Sequence, residues 1–198
     1  MKTVLLSALV LFTVLESVST ASEPNALRTR IPRDAVIQGY PCAKGDAWFY
    51  PDGSLNQCTL SRTTVLGDLQ LPRRSVIELW PGGATRHLTL PHNAVISGYR
   101  LRGGALLGRG SSQDDVTAFY PSGRLRSIVL AGDQTIQGVP CGAGAATPFA
   151  DSNDGGNHVD FYEDGRLQSC SLTRDYGGQK NGQRLVLSDE PGLLTAGR

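Results

Sequence analysis

The chain has 198 residues, with 19 Lys and Arg against 18 Asp and Glu, a formal net charge of +1. That balance gives no reason to expect a nucleic acid or an acidic membrane surface as partner. Its 24 glycines and 11 prolines suit a turn-rich β protein.

Residues 1–21 read as a secretory signal peptide. Met1-Lys2 is a short basic start, Val4 to Leu15 is an apolar run too short to span a membrane comfortably, and Ser19-Thr20-Ala21 fits a small-residue cleavage site. No second long apolar stretch follows, so no integral membrane segment is expected after signal removal, and the mature chain is expected to be secreted or periplasmic. Residues 22–33 are polar and read as a cap or an unpaired segment.

Residues 34–175 repeat. Four copies share an aromatic hairpin phrase: Phe49-Tyr50-Pro51-Asp52-Gly53, Leu79-Trp80-Pro81-Gly82-Gly83, Phe119-Tyr120-Pro121-Ser122-Gly123 and Phe161-Tyr162-Glu163-Asp164-Gly165. The turn glycines lie 30, 40 and 42 residues apart, which gives approximate copies at 34–61, 62–91, 92–131 and 132–175. In each phrase the residues before Gly favour a turn, and Gly supplies the positive φ that closes a short loop, often with a bulge. A second apolar run follows each turn and ends in Cys58-Thr59-Leu60, Leu88-Thr89-Leu90, Ile128-Val129-Leu130 or Cys170-Ser171-Leu172. A third element carries Val36-Ile37-Gln38-Gly39, Val65-Leu66-Gly67, Val95-Ile96-Ser97-Gly98 or Thr135-Ile136-Gln137-Gly138. The expected fold is all-β: about four stacked β-hairpin, three-strand repeats forming an extended or rolled antiparallel sheet, with close to a dozen strands. The aromatic row is expected to form ladders between copies and to pack as core rather than as a ligand platform. Residues 176–198 read as a C-terminal strand or tail.

Four cysteines in an exported chain suggest two disulfides, for which three pairings exist. The repeat selects one. Cys42 and Cys58 occupy the places of Cys141 and Cys170, and the third copy carries Leu101 and Ile128 there. An apolar pair in place of a cysteine pair marks two side chains that touch, so Cys42–Cys58 and Cys141–Cys170 are expected. In the second copy Gln70 aligns with the first cysteine.

The loop Asp151-Ser152-Asn153-Asp154-Gly155-Gly156-Asn157 gathers oxygen donors. Asp151, Asn153, Asp154 and Asn157 are the residues through which it would hold a ligand, calcium included, although Gly155 stands where a calcium loop wants a side-chain oxygen. The reading is a polar surface loop with no required cofactor. The three histidines suggest neither zinc nor catalysis: His87 and His92 are five apart, and His158 has only Asp160 on its strand face. The Gly-rich insert around Gly103 to Asp115 lacks the following helix of a phosphate loop. No catalytic or metal residues are assigned.

The phrase Phe-Tyr-Pro-Asp-Gly-Ser-Leu and its copies resemble the aromatic-x-x-Gly-x-Leu hairpin of MORN-like repeats, including bacterial antitoxin-type variants. With Ile-Gln-Gly-x-Pro-Cys and Cys-x-Leu the chain is similar to exported, cysteine-containing bacterial repeat proteins. The resemblance implies association with protein or lipid, scaffolding, and no catalytic residues. The expected function is therefore an exported, non-enzymatic binding or structural module, meeting a protein or envelope component through a sheet face or the loop inserts. The alternative is an exported glycan- or peptide-active hydrolase on an all-β scaffold, for which Asp114, Asp115, Asp160 and Glu163 are the available carboxylates.

Overall fold

The computed structural model describes residues 26–67, 69–104, 116–143, 158–188 and 194–196. The signal segment and the loop with Asp151, Asn153, Asp154 and Asn157 lie outside the described residues. Every described element is a strand or turn. Strand β1 (Leu27–Ile31) precedes the repeats. The first copy holds β2 (Ala35–Ile37), β3 (Tyr40–Cys42), β4 (Gly45–Phe49) and β5 (Leu55–Thr59). The second holds β6 (Thr64–Leu66), β7 (Leu69–Leu71), β8 (Val76–Leu79) and β9 (Thr85–Thr89). The third holds β10 (Ala94–Ile96), β11 (Tyr99–Leu101), β12 (Thr117–Phe119) and β13 (Leu125–Val129). The fourth holds β14 (Gln134–Ile136), β15 (Val139–Cys141), β16 (His158–Phe161) and β17 (Leu167–Ser171), and β18 (Arg184–Leu187) and β19 (Leu194–Ala196) follow.

Among the described residues each copy thus carries four strands, one more than its sequence suggests. Two form a long hairpin and two a short one. The long hairpins join edge to edge in an eleven-stranded antiparallel sheet ordered β1-β4-β5-β8-β9-β12-β13-β16-β17-β18-β19, and the short hairpins stand as four separate pairs.

The long hairpins turn as their sequences require. The Tyr50 amide donates to the Ser54 carbonyl (2.8 Å) and the Gly53 amide to the Tyr50 carbonyl (2.9 Å). The same two bonds recur at Trp80, Tyr120 and Tyr162. Gly53, Gly83, Gly123 and Gly165 all hold φ between 81° and 91°, conformations that only glycine adopts cheaply. A register shift flanks each turn, between Trp48 and Phe49 in the first copy. The short hairpins turn differently. Gln38-Gly39, Ser97-Gly98 and Gln137-Gly138 place two successive residues at positive φ, the mirror-image turn whose twist matches a two-residue hairpin.

The short hairpins cover one face of the sheet, and the core lies between the layers. From the sheet come Cys58, Ile77, Leu88, Ile128, Val159, Cys170 and Leu185; from the hairpins come Cys42, Leu71, Ile96, Leu101, Ile136 and Cys141, all fully buried or nearly so. The register places Cys58 beside Ile77 and Ile77 beside Leu88, and Val159 beside Ile128. Apolar residues at alternate positions therefore line one row across the copies, interrupted at β12 by the buried Thr117, which pairs with Leu88.

Both expected disulfides are present. Cys42 joins Cys58 and Cys141 joins Cys170, with Cα atoms 5.7 and 5.6 Å apart. Each fastens a short hairpin to its own long one. Leu101 and Ile128 are buried at the same two places. In the second copy the place of Cys42 belongs to Leu71 and not to Gln70, because Thr64 pairs with Leu71 as Ala35 pairs with Cys42.

The aromatic row does not stack as ladders: among the described residues the ring pair in contact is Tyr99 with Phe161, 5.5 Å between centroids. Instead each tyrosine reaches the next copy's backbone. The Tyr50 hydroxyl donates to the Leu79 carbonyl (2.6 Å), Tyr120 to Phe161 (2.9 Å) and Tyr162 to Leu187 (2.6 Å). Trp80 interrupts the series, and its buried Nε1 has no hydrogen-bond partner among the described residues. Trp80→Tyr is expected to be more stable than Trp80→Phe by about 1 kcal/mol, because only tyrosine can restore the missing bond. Urea unfolding of the two variants checks this, and equal midpoints would disprove it.

The polar segment before the repeats is part of the sheet: Leu27 to Ile31 pairs with β4, and Arg28 forms an ion pair with Asp46. At the other end β18 pairs with β17 and receives the Tyr162 hydroxyl on Leu187. Leu187 thus stands where Leu79 stands, so β18 begins a reduced fifth copy.

Candidate functional site

The tip of each short hairpin faces the bulged turn of its own long hairpin. In the first copy Gln38 bridges the two. Its Nε2 donates to the Gly53 carbonyl (3.0 Å), and its Oε1 accepts from the Leu55 amide (2.9 Å). The fourth copy repeats the arrangement: Gln137 Nε2 donates to the Gly165 carbonyl and the Leu167 amide donates to Gln137 Oε1, both at 2.9 Å. Each glutamine sits at positive φ, 49° and 50°, a conformation that costs a non-glycine residue about 1–2 kcal/mol. The two hydrogen bonds offset that cost.

The second and third copies carry Gly67 and Ser97 in this column, with φ of 56° and 50°. Neither supplies a carboxamide, and a groove runs beside them. The groove is about 690 Å3 in volume and runs past Gly67, Gly83, Thr85, Ser97, Gly123 and Leu125. Tyr99, Phe119 and Phe161 give it an apolar floor, and Arg124 and Asp164 stand on its rim. The Tyr40 hydroxyl donates to the Gly83 carbonyl (2.7 Å) and closes one end. Burial raises the Tyr40 pKa above its ordinary value, so this donor keeps its proton. The Arg166 amide and guanidinium hold the Asp164 carboxyl below its ordinary range, and Arg124 Nη1 donates to the Glu163 carbonyl (3.0 Å). The rim charges are therefore held by neighbours on the same surface.

The opposite face of the sheet is polar and neutralises itself. His87 Nδ1 lies 3.1 Å and Arg86 Nη1 3.3 Å from the Glu78 carboxylate. The hydrogen bond with His87 is the main reason the Glu78 carboxyl lies below its ordinary range, against the opposing effect of burial. Asp160 accepts from Ser127 Oγ (2.7 Å) and Ser169 Oγ (2.9 Å) and forms an ion pair with Arg184. His158 Nδ1 lies 3.2 Å from Ser127 Oγ.

The last cluster unites Ser127, His158 and Asp160, of which the sequence singled out only the latter two. Its geometry differs from that of a nucleophile, base and orienting acid. Ser127 stands between the other two and hydrogen-bonds to Asp160, whereas in a hydrolytic relay the histidine stands in the middle. Glu163 sits in the fourth hairpin turn, exposed. His92 contacts the Asn93 carbonyl. Among the described residues no three His, Cys, Asp or Glu side chains are grouped to hold a metal ion. Asp114 and Asp115 lie outside the described residues, as do the four candidate ligand-loop residues.

The groove was not anticipated from sequence. Its signal was nevertheless there, in the column Gln38, Gly67, Ser97, Gln137, where two copies keep a long amide and two do not. No family model matches this chain, and neither a curated protein nor a solved structure is similar to it.

Proposed function

We propose that the chain is an exported, non-enzymatic binding module of the MORN-like kind that meets a protein or envelope component outside the cytoplasm. The groove between the second and third copies is its binding surface. The observation that carries this reading is the loss of the glutamine bridge in the two middle copies, which leaves a concave surface with an apolar floor and exposed backbone polar groups. Such a combination is what ligand sites provide. The self-neutralised polar face offers no comparable attraction, since every carboxylate described there already has a cationic or hydroxyl neighbour. Two disulfides suit an oxidising compartment. No helix among the described residues is long and apolar enough to cross a membrane.

The test compares the oxidised chain with Thr85→Trp, which fills the groove, and with Val95→Lys on the outside of the hairpin layer. A fold-dependent partner retained by the parent and by Val95→Lys but lost by Thr85→Trp supports the reading. Equal retention by all three would refute it.

A further inference from the structure

We infer that the third copy's part of the groove recognises a primary carboxamide, the side chain of a glutamine presented by an extended polypeptide. This deepens the proposed function and rests on the groove being a binding surface. The chain itself contains the template. Twice, at Gln38 and Gln137, a glutamine carboxamide donates to the bulge glycine's carbonyl and accepts from the amide two residues on. The third copy has the same two backbone groups, Gly123 C=O and Leu125 N–H, in the same bulged turn. Ser97 is too short to bridge them, and no other described side chain takes its place. The second copy is the poorer receptor, because its Gly83 carbonyl already accepts from Tyr40.

The pair of contacts is selective. It needs an N–H and a C=O on the same side of one amide. A primary carboxamide has both. A trans secondary amide, whether a peptide bond or an acetamido group on a sugar, has them on opposite sides. A carboxylate fails for another reason: it has no proton for the Gly123 carbonyl and would set oxygen against oxygen. Tyr99, Phe119 and Phe161 beneath the site accept the glutamine methylenes.

The experiment is an amide-resolved NMR titration of the oxidised chain with three end-capped pentapeptides, Ala-Ala-X-Ala-Ala, where X is Gln, Glu or Met. A saturable shift of the Leu125 amide is expected with Gln, at a Kd on the order of millimolar, and at least about tenfold weaker binding with Glu and Met. Ser97→Gln should abolish the shift by filling the site from within. It should also fold normally, since Gln38 and Gln137 already occupy that backbone conformation. Equal response to the three peptides, no saturable response to Gln, or unchanged binding by Ser97→Gln would overturn the inference. A partner lost with Thr85→Trp but kept by Ser97→Gln would remove the carboxamide while leaving the groove as the binding surface.

Discussion

Reduction of the two disulfides is expected to lower the unfolding free energy by about 3 kcal/mol for each bridge. The bridges close loops of 16 and 29 residues, and each ties a short hairpin to the sheet it covers. An isolated two-stranded hairpin has little stability of its own in water, so the loss should be uneven along the chain. The hairpins β2–β3 and β14–β15 should lose amide protection first. The hairpins β6–β7 and β10–β11, held by Leu71 and by Leu101 with Ile128, should keep theirs. Thermal melting with and without reductant measures the first effect, and hydrogen exchange measures the second. Unchanged melting after confirmed reduction would show that the bridges hold nothing the core does not.

Phe161→Ala should cost about 3–5 kcal/mol, the usual range for emptying a buried aromatic site. Phe161 is 2% exposed, contacts the Tyr99 ring and belongs to the floor of the groove. Its removal takes away both packing between layers and the base of the site. The comparison is Val36→Ala, at a side chain 65% exposed on the outside of the hairpin layer, where about 0.5 kcal/mol or less is expected. Denaturant unfolding of both variants decides the matter; similar costs would mean that the two-layer core is misplaced.

The parts of the fold legible in the sequence are those fixed by local chemistry or by repetition. A glycine directly after a turn-forming pair is suited to the positive φ that closes the loop, so the four long hairpins announce themselves. The cysteine pairing followed because the third copy substitutes two apolar residues that are buried in the same places. The short hairpins were harder to see. Gln-Gly and Ser-Gly are weaker signs of a two-residue turn than Asn-Gly, and Val-Ile-Gln-Gly reads as the end of one strand rather than the middle of a hairpin. The second copy misleads in another way. Gly67 stands in the column of Gln38, so counting from the glycine shifts its partner strand by one residue, from Leu71 to Gln70. Leu27-Arg28-Thr29-Arg30-Ile31 looks like an exposed leader because its charges are compensated by a residue far along the chain, Asp46. The groove was hidden for a different reason. It depends on what two copies lack relative to two others, and a reading that seeks shared residues passes over the differences.

Every strand of the long sheet lies beside its neighbour in the order of the long hairpins, with no crossover. Such an arrangement can grow or shrink by whole copies without any existing strand changing partners. Duplication of the gene segment for the third copy would therefore lengthen the sheet by one hairpin and place a second serine in the glutamine column. Duplication of the fourth would lengthen it equally but bring its own glutamine plug. In this architecture the size of the protein and the number of its glutamine bridges are separate heritable traits, the first set by how many copies are strung together and the second by one codon in each.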